Sequence, residues 1–175
     1  RGATGVITGN LNDLWCYDLP SSAQWTWVGG VSTIDPNGVY NLKGEASSTG
    51  IPSGRSYASA WCGTDGLFYL FGGAGKGATG ATKGNLNDLW SYDPTSNSWT
   101  WLTGSSAVNG AATYGTLGVP SSLNTPGARS GATVVQDGTS NTLLFGGQGA
   151  GAMNDLWHYD STGEWVWLKG PQTVN

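Results

Sequence analysis

The sequence predicts an all-β protein built from repeated four-stranded units. One stretch occurs three times, at Gly9–Gly30, Gly84–Gly104 and Gly151–Gly170. Each copy carries an Asn-Asp-Leu-Trp run, a Tyr-Asp pair and two Trp separated by one residue. Self-similarity of this kind indicates a repeat architecture. The 175 residues include 30 Gly, which favours many tight turns, and no segment keeps a helical period.

Each repeat contains four strands, named a to d in chain order. Strand a follows an Arg-Ser pair, strand b ends in Gly-Gly, strand c holds the Asn-Asp-Leu-Trp run and strand d holds the Trp pair. Because paired glycines readily adopt positive φ, we expect them to stop strand b. The assigned strands include Ser56–Cys62 and Ser130–Gln136 for a, segments ending at Gly73 and Gly147 for b, Asp13–Asp18 for the first c, and Trp25–Val28 for the first d.

The order of these strands divides the chain into two and a half units. Residues 1–29 hold strands c and d alone, residues 30–103 hold one complete unit, and residues 104–175 hold a second complete unit and the start of a further loop. The predicted d–a segments, Gly29–Gly54 and Thr103–Ala128, show no strand pattern. Loops of this length without secondary structure are uncommon and often functional.

The two long loops of each unit are expected on one side of the molecule. In an up-and-down sheet, the b–c and d–a connections emerge together, opposite the a–b and c–d turns. We call these the long-loop face and the short-turn face. The b–c loop between Gly73 and Asn85 is seven residues longer than its counterpart after Gly147. Since binding residues favour loops on a rigid scaffold, any ligand is expected on the long-loop face.

The motifs of the complete units resemble the kelch repeat. The resemblance rests on Phe71–Gly73, on Asn87–Asp93 with its Asn-Asp-Leu-Trp-x-Tyr-Asp pattern, and on Trp99. It implies kelch-type β-propeller blades, each a four-stranded antiparallel sheet with strand a nearest the axis and strand d outermost. Two and a half blades do not close a propeller of the usual ~4–8 blades. The resemblance therefore implies an incomplete propeller segment.

The aromatic residues of strands c and d are expected to cluster on one face of each sheet. A core between blades is the favoured interpretation, because aromatic clusters dominate core energetics. A sugar-stacking platform is the alternative, and the second Trp of each pair is the best candidate for exposure. The candidate binding residues are Trp27, Trp101, Trp167, Tyr40, Tyr114, Arg55 and Arg129.

The Asp at the start of each strand c is expected to make Asx-turn bonds to nearby backbone amides. These residues are Asp13, Asp88 and Asp155. A salt bridge from Arg55 or Arg129 is a further possibility, and metal or ligand binding is the less favoured one.

No catalytic constellation emerges from the sequence. His158 is the only His, and it lies on a predicted strand at the position that Cys16 and Ser91 hold in the other copies. We therefore expect neither a copper site of the galactose oxidase kind nor a Ser-His-Asp triad. We therefore expect no cofactor, no metal and no catalytic residue. Cys16 and Cys62 are expected to be two separate, buried thiols, with a disulfide left open.

Composition excludes some partners. The net charge is -4 and the basic residues are scattered, so nucleic acid is not expected. The longest apolar run, Leu67–Phe71, is too short to cross a bilayer.

The unpaired edge of strand c at Asn12–Asp18 is expected to meet strand b of another blade, from this chain or a neighbouring one.

The predicted function is a non-catalytic scaffold that presents its long loops for protein or glycan contacts. It would form part of a larger propeller or a multi-chain assembly. One alternative is a carbohydrate-binding, lectin-like propeller. The other is a segment of a secreted oxidase whose active site lies outside these residues. The kelch resemblance and the low Lys content together favour an extracellular or cell-surface location.

Overall fold

A computed structural model describes residues 8–18, 23–138 and 141–173. All of its regular elements are β-strands, and none of the described residues forms a helix that could span a membrane. The strands are β1 (Leu14–Tyr17), β2 (Trp25–Gly29), β3 (Ala46–Ser47), β4 (Arg55–Ser56), β5 (Ser59–Cys62), β6 (Phe68–Gly75), β7 (Gly84–Asp93), β8 (Ser98–Thr103), β9 (Thr133–Gln136), β10 (Thr142–Phe145), β11 (Leu156–Tyr159) and β12 (Trp165–Lys169).

The strands form three separate antiparallel sheets, as the predicted all-β blade architecture requires. The half-blade pairs β1 with β2. The C-terminal blade has the order β12-β11-β10-β9, so the chain runs a, b, c, d across the sheet. The central blade has the order β3-β8-β7-β6-β4, with β5 also paired to β6. The fold class predicted from the repeat is therefore confirmed.

Strand a of the central blade is interrupted, which the sequence did not predict. It is split into β4 and β5 around Tyr57, an exposed residue whose φ of 55° lies in the left-handed region. The expectation that Gly-Gly stops strand b is also wrong in this blade. Gly72 and Gly73 do take positive φ, at 63° and 97°, but β6 continues to Gly75 through a bulge. The two glycines form a bulge that changes the direction of the strand without ending it.

The predicted d–a loop of the central blade contributes a strand of its own. β3 pairs with the outer edge of β8, and Gly44 N donates to Trp101 O at 2.9 Å. The C-terminal blade repeats part of this arrangement, since Gly118 N donates to Trp167 O at 2.8 Å. Each long loop therefore covers the outer edge of the blade that follows it, which protects that edge from other pairing.

The main core lies between the central and C-terminal blades. Phe71 packs against Trp165 with ring centroids 5.4 Å apart, and Tyr69 meets Tyr159 edge-on at 6.2 Å. The favoured interpretation of the aromatic residues, a core between blades, is confirmed here. The fully buried members of this cluster are Trp61, Phe71, Leu89, Leu144, Trp157, Tyr159 and Trp165.

Asparagines at the start of strand c join successive blades. Asn87 Nδ2 donates to Pro126 O at 3.1 Å, and its Oδ1 accepts from Ser105 N at 3.0 Å. Asn12 repeats both bonds one unit earlier, with Pro52 O at 3.0 Å and Val31 N at 3.0 Å. The half-blade is thus held to the central blade as that blade is held to the next.

The other side of β1 is unpaired among the described residues, since β1 pairs with β2 alone. The expected partner, strand b of another blade lying against Asn12–Asp18, stays a prediction.

The two thiols are free and exposed, so the expectation that Cys16 and Cys62 are buried is wrong. Both residues lie in strands at the edge of their sheets, β1 and β5.

We expect Gly73→Ala to destabilise the protein by about 3 kcal/mol. Its φ of 97° disfavours any side chain, and an added Cβ would lie 2.8 Å from Ser56 O. Gly66→Ala is the matched control, because Gly66 has a φ of 82° with nothing within 4 Å of an added Cβ. It should cost only about 1 kcal/mol. Urea unfolding measures both, and equal losses would show that the close backbone contact has no effect.

Candidate binding face

A buried carboxylate at the start of strand c organises each complete blade. Arg129 binds Asp155 through two parallel bonds, Nη1 to Oδ1 at 2.6 Å and Nη2 to Oδ2 at 2.8 Å. Trp157 Nε1 and Tyr114 OH donate to the same Oδ2, at 2.7 and 2.9 Å. Both partners of the ion pair are essentially inaccessible to solvent. The arrangement is a fully hydrogen-bonded buried pair, the only form in which such charges are tolerated.

The central blade has the same network. Arg55 binds both oxygens of Asp88 at 2.8 Å, and Trp90 Nε1 and Tyr40 OH each donate to Oδ2 at 2.6 Å. Each arginine also donates to the carbonyl of the first glycine of the Gly-Gly pair, Gly72 or Gly146, at 3.0 Å. The network therefore ties strands a, b and c and the preceding d–a loop together.

The expected Asx-turn role of the two buried aspartates is wrong. The carboxylates of Asp88 and Asp155 accept from side chains and not from backbone amides, and their Arg and Tyr partners are far away in sequence. The salt bridges to Arg55 and Arg129, which the sequence left as a possibility, are present. The signal was available, because an Arg, an Asp, a Trp and a Tyr each recur at equivalent positions of both complete units.

Four of the candidate binding residues thus have their polar groups engaged inside the protein. Tyr40, Tyr114, Arg55 and Arg129 bond to the aspartates or to backbone carbonyls. Burial and the neighbouring Asp155 carboxylate raise the pKa of Tyr114 to about 12, so its hydroxyl stays a donor. A direct contact of these residues with a ligand remains a prediction.

The second Trp of each pair is exposed to different degrees. Trp27 is 55% exposed, whereas Trp101 and Trp167 are half-buried. Tyr40 meets Trp101 edge-on at 5.0 Å, and Tyr114 meets Trp167 in the same way at 5.1 Å. Lys43 Nζ lies 4.7 Å from the centre of the Trp101 ring. Of these three Trp residues, Trp27 therefore has the most open indole.

The long-loop face contains a cleft of about 480 Å³ beside the C-terminal blade. It lies between the d–a loop that precedes this blade and the short b–c loop within it. None of the residues that line it carries a charge. They are Asn109, Gly110, Ala111, Ala112, Tyr114, Gly127, Ala128, Gly149, Ala150, Met153 and Gln172.

The central blade shows why this cleft is open. Its longer b–c loop lies against both neighbouring d–a loops, where Gly38 N donates to Gly77 O at 3.2 Å and Ala78 N donates to Ser106 O at 2.7 Å. Lys83 of this loop also pairs with Asp35 at 2.7 Å. The C-terminal blade lacks seven residues at this place. The cleft therefore occupies the volume that a glycine-rich loop fills one blade earlier.

Asn109 replaces Asp35 at the equivalent position of the cleft. Both residues have positive φ, 58° and 52°. Asn109 Oδ1 accepts from Asn85 N at 3.0 Å, as Asp35 Oδ1 accepts from Asn10 N at 2.8 Å. The backbone geometry is thus kept while the charge is lost, which makes the cleft neutral.

A second, smaller cleft of about 290 Å³ lies on the short-turn face, between the central and C-terminal blades. Its polar groups include Asp65, which accepts from Tyr69 OH at 2.7 Å, and Asp160. Burial raises the pKa of Tyr159 to about 12, and the negative charges of Asp160 and Asp65 add to this effect. This cleft was not expected, because the sequence placed every long connection on the opposite face.

No metal-binding cluster of three or more His, Cys, Asp or Glu occurs in the part of the chain that the structure describes. His158, the single imidazole, lies on β11 with its Nε2 2.9 Å from Asn141 Oδ1.

Comparison with known proteins agrees with the blade assignment. Residues 55–106, which cover most of the central blade, match the family described as kelch motif. This match confirms the resemblance to the kelch repeat over the central blade, and the other two sheets carry the same sequence motifs. A protein-interaction or scaffold module is the general class that this repeat supports.

No curated protein matches the chain. Among the solved structures, one described as "Structure of YjhT" is similar, with 17% identity and a TM-score of 0.42. The similarity covers 94% of this chain and 61% of that one, so the chain spans less than two thirds of its length.

We expect the stability of the protein to fall in acid partly through Asp155. Burial alone would raise the pKa of this carboxyl, but hydrogen bonds from Arg129, Trp157 and Tyr114 outweigh burial and lower it. The stabilisation is therefore complete above the unfolded pKa of about 3.9 and is lost as the pH falls through the folded value.

Urea unfolding between about pH 2 and pH 7 measures this dependence. Asp155→Asn should lower the free energy of unfolding at neutral pH and should weaken its decline below about pH 4. Parallel pH profiles for the variant and the wild type would contradict the assignment.

Proposed function

We propose that the protein is a non-catalytic interaction module that binds a protein partner through its long-loop face. The neutral cleft beside the C-terminal blade is the observation that carries this proposal. The general class of the kelch repeat supports it, although a fold alone does not define a function. The module would act as part of a larger propeller or a multi-chain assembly.

The cleft favours a peptide segment over a charged small molecule. One blade earlier, the same place is filled by a loop rich in Gly, Ala and Thr that bonds through its backbone, as Ala78 N does to Ser106 O. The lining is made of small side chains, and Met153 can adapt its shape to an occupant. A loop with small, uncharged side chains from a partner protein therefore matches the shape and the charge of the cleft.

The two alternatives make different demands on the chain. A lectin-like module needs an open indole for sugar stacking, and Trp27 is the most exposed of the three candidates. A secreted oxidase needs ligands outside these residues, because His158 is the only imidazole here. The extracellular or cell-surface location expected from composition and resemblance is part of this proposal.

A variant that fills the cleft tests the proposal. Peptide ligands are first selected from a displayed random library on the immobilised wild-type protein, and their affinities are then measured by biolayer interferometry. Ala150→Trp places an indole in the cleft, whereas Ser161→Trp places the same group on the short-turn face. We expect Ala150→Trp to weaken peptide binding at least about tenfold and Ser161→Trp to leave it unchanged.

Three results would contradict the proposal. The selected peptides could bind Ala150→Trp as tightly as the wild type, which would place the contact elsewhere. Turnover of a sugar or an alcohol by the isolated chain would show that it is catalytic. Glycan-array binding that is lost in Trp27→Ala, without loss of folding, would support the lectin-like alternative.

A further inference from the structure

The two ends of the blade series expose apolar surfaces that differ from each other. The head face is the side of the half-blade that points away from the central blade, and it consists of Trp15, Tyr17, Trp25 and Trp27. The tail face is the side of the C-terminal blade that points away from the central blade, and it includes Val135, Phe145 and Leu168. All seven of these side chains are exposed.

The interface between the two complete blades shows what each of these faces normally contacts. On the central blade it consists of Trp61, Phe71 and Leu89, and on the C-terminal blade of Leu144, Trp157, Tyr159 and Trp165. The closest ring contact joins Phe71 to Trp165 at 5.4 Å. Both rings are 1% exposed, so this pair is buried within the interface.

The tail face is the repeat equivalent of the central blade's side of this interface. Phe145 occupies the position of Phe71, the residue before Gly-Gly, and Val135 occupies the position of Trp61. Phe145 is 51% exposed, against 1% for Phe71. The tail face therefore matches, in position and apolar character, the surface of the central blade that packs on Trp157 and Trp165, but no indole packs on the tail face.

The head face is the repeat equivalent of the C-terminal blade's side. Trp25 occupies the position of Trp165, the first Trp of the pair, and Tyr17 occupies the position of Tyr159. Trp25 is 67% exposed, against 1% for Trp165. Tyr17 and Trp25 already pack together at 5.0 Å, so the surface is formed before anything covers it.

We propose that the tail face of one copy of this chain packs on the head face of a second copy. Phe145 of one copy would then contact Trp25 of the other, as Phe71 contacts Trp165 within the chain. A single chain carries both halves of the interface, which makes a second copy a complementary partner. The inference concerns the end faces alone and does not depend on the function proposed for the long-loop face.

This interface joins two different surfaces and is therefore heterologous. Contacts of this type extend into rings or open filaments, whereas a contact between identical surfaces ends at a dimer. After one head-to-tail contact forms, each pair of copies still exposes one head face and one tail face. We therefore expect the wild-type protein to form oligomers whose mass increases with concentration.

Sedimentation velocity on the full chain tests the proposal from roughly 1 to 100 μM, where associations of moderate affinity are resolved. Trp25→Asp places a charge in the head face, and Phe145→Asp places one in the tail face. Each variant should associate at least about tenfold more weakly than the wild type and should therefore be monomeric. An equimolar mixture of the two should form a 1:1 dimer and nothing larger. In that mixture only the Phe145→Asp copy keeps its head face, and only the Trp25→Asp copy keeps its tail face.

Leu123→Asp is the matched control, because Leu123 is 76% exposed in a d–a loop and belongs to neither end face. It should associate as the wild type does. Circular dichroism and urea unfolding show whether each variant keeps its fold, and Val135→Asp is a second tail variant. A monomeric wild type throughout the concentration range would overturn the proposal. So would a mixture of the two variants that stays monomeric while the wild type associates.

Discussion

The structure depends on a buried carboxylate at the start of strand c. In both complete blades this group receives two bonds from the Arg at the start of strand a, one from the Trp two residues further on and one from a Tyr on the preceding loop. Leaving any buried charge unpaired would be costly, so removal of any one of the four side chains is expected to destabilise the other three. Because the Tyr comes from the long d–a loop, the same carboxylate fixes that loop against the outer strands of its blade.

The position of the long loops decides where a partner can be met. Each d–a loop follows the outer edge of the next blade and bonds to it, at Gly44 in one blade and Gly118 in the other. Because the loops are hydrogen-bonded to the blades in this way, a difference in length between the two b–c loops leaves a cleft. The neutral lining follows from the replacement of Asp35 by Asn109 and from the absence of a counterpart to Lys83.

Much of this fold could be predicted from the sequence, because the repeats carry strong local patterns. The Trp-x-Tyr and Trp-x-Trp alternations placed strands c and d. The Gly-Gly pair predicted the positive φ that the structure shows in both blades, but it ends strand b only in the C-terminal blade. The short strand β3 was not predictable, since Ala46–Ser47 has no apolar alternation and pairs only because the outer edge of β8 is open. The candidate site was partly predictable. The recurring Arg, Asp and Tyr were visible, but their convergence on one oxygen depends on three segments that are distant in sequence.

Asp155 couples the preceding d–a loop to the blade through Arg129 and Tyr114. Arg129→Lys removes the two-pronged contact and Tyr114→Phe removes one hydroxyl, and both changes act on the same carboxylate. A double-mutant cycle measured by urea unfolding should give a coupling energy of about 1 kcal/mol, whereas the control cycle of Tyr114→Phe with Lys83→Arg should be additive. Additivity within about 0.3 kcal/mol for Arg129→Lys and Tyr114→Phe would show that the carboxylate does not join the loop to the blade.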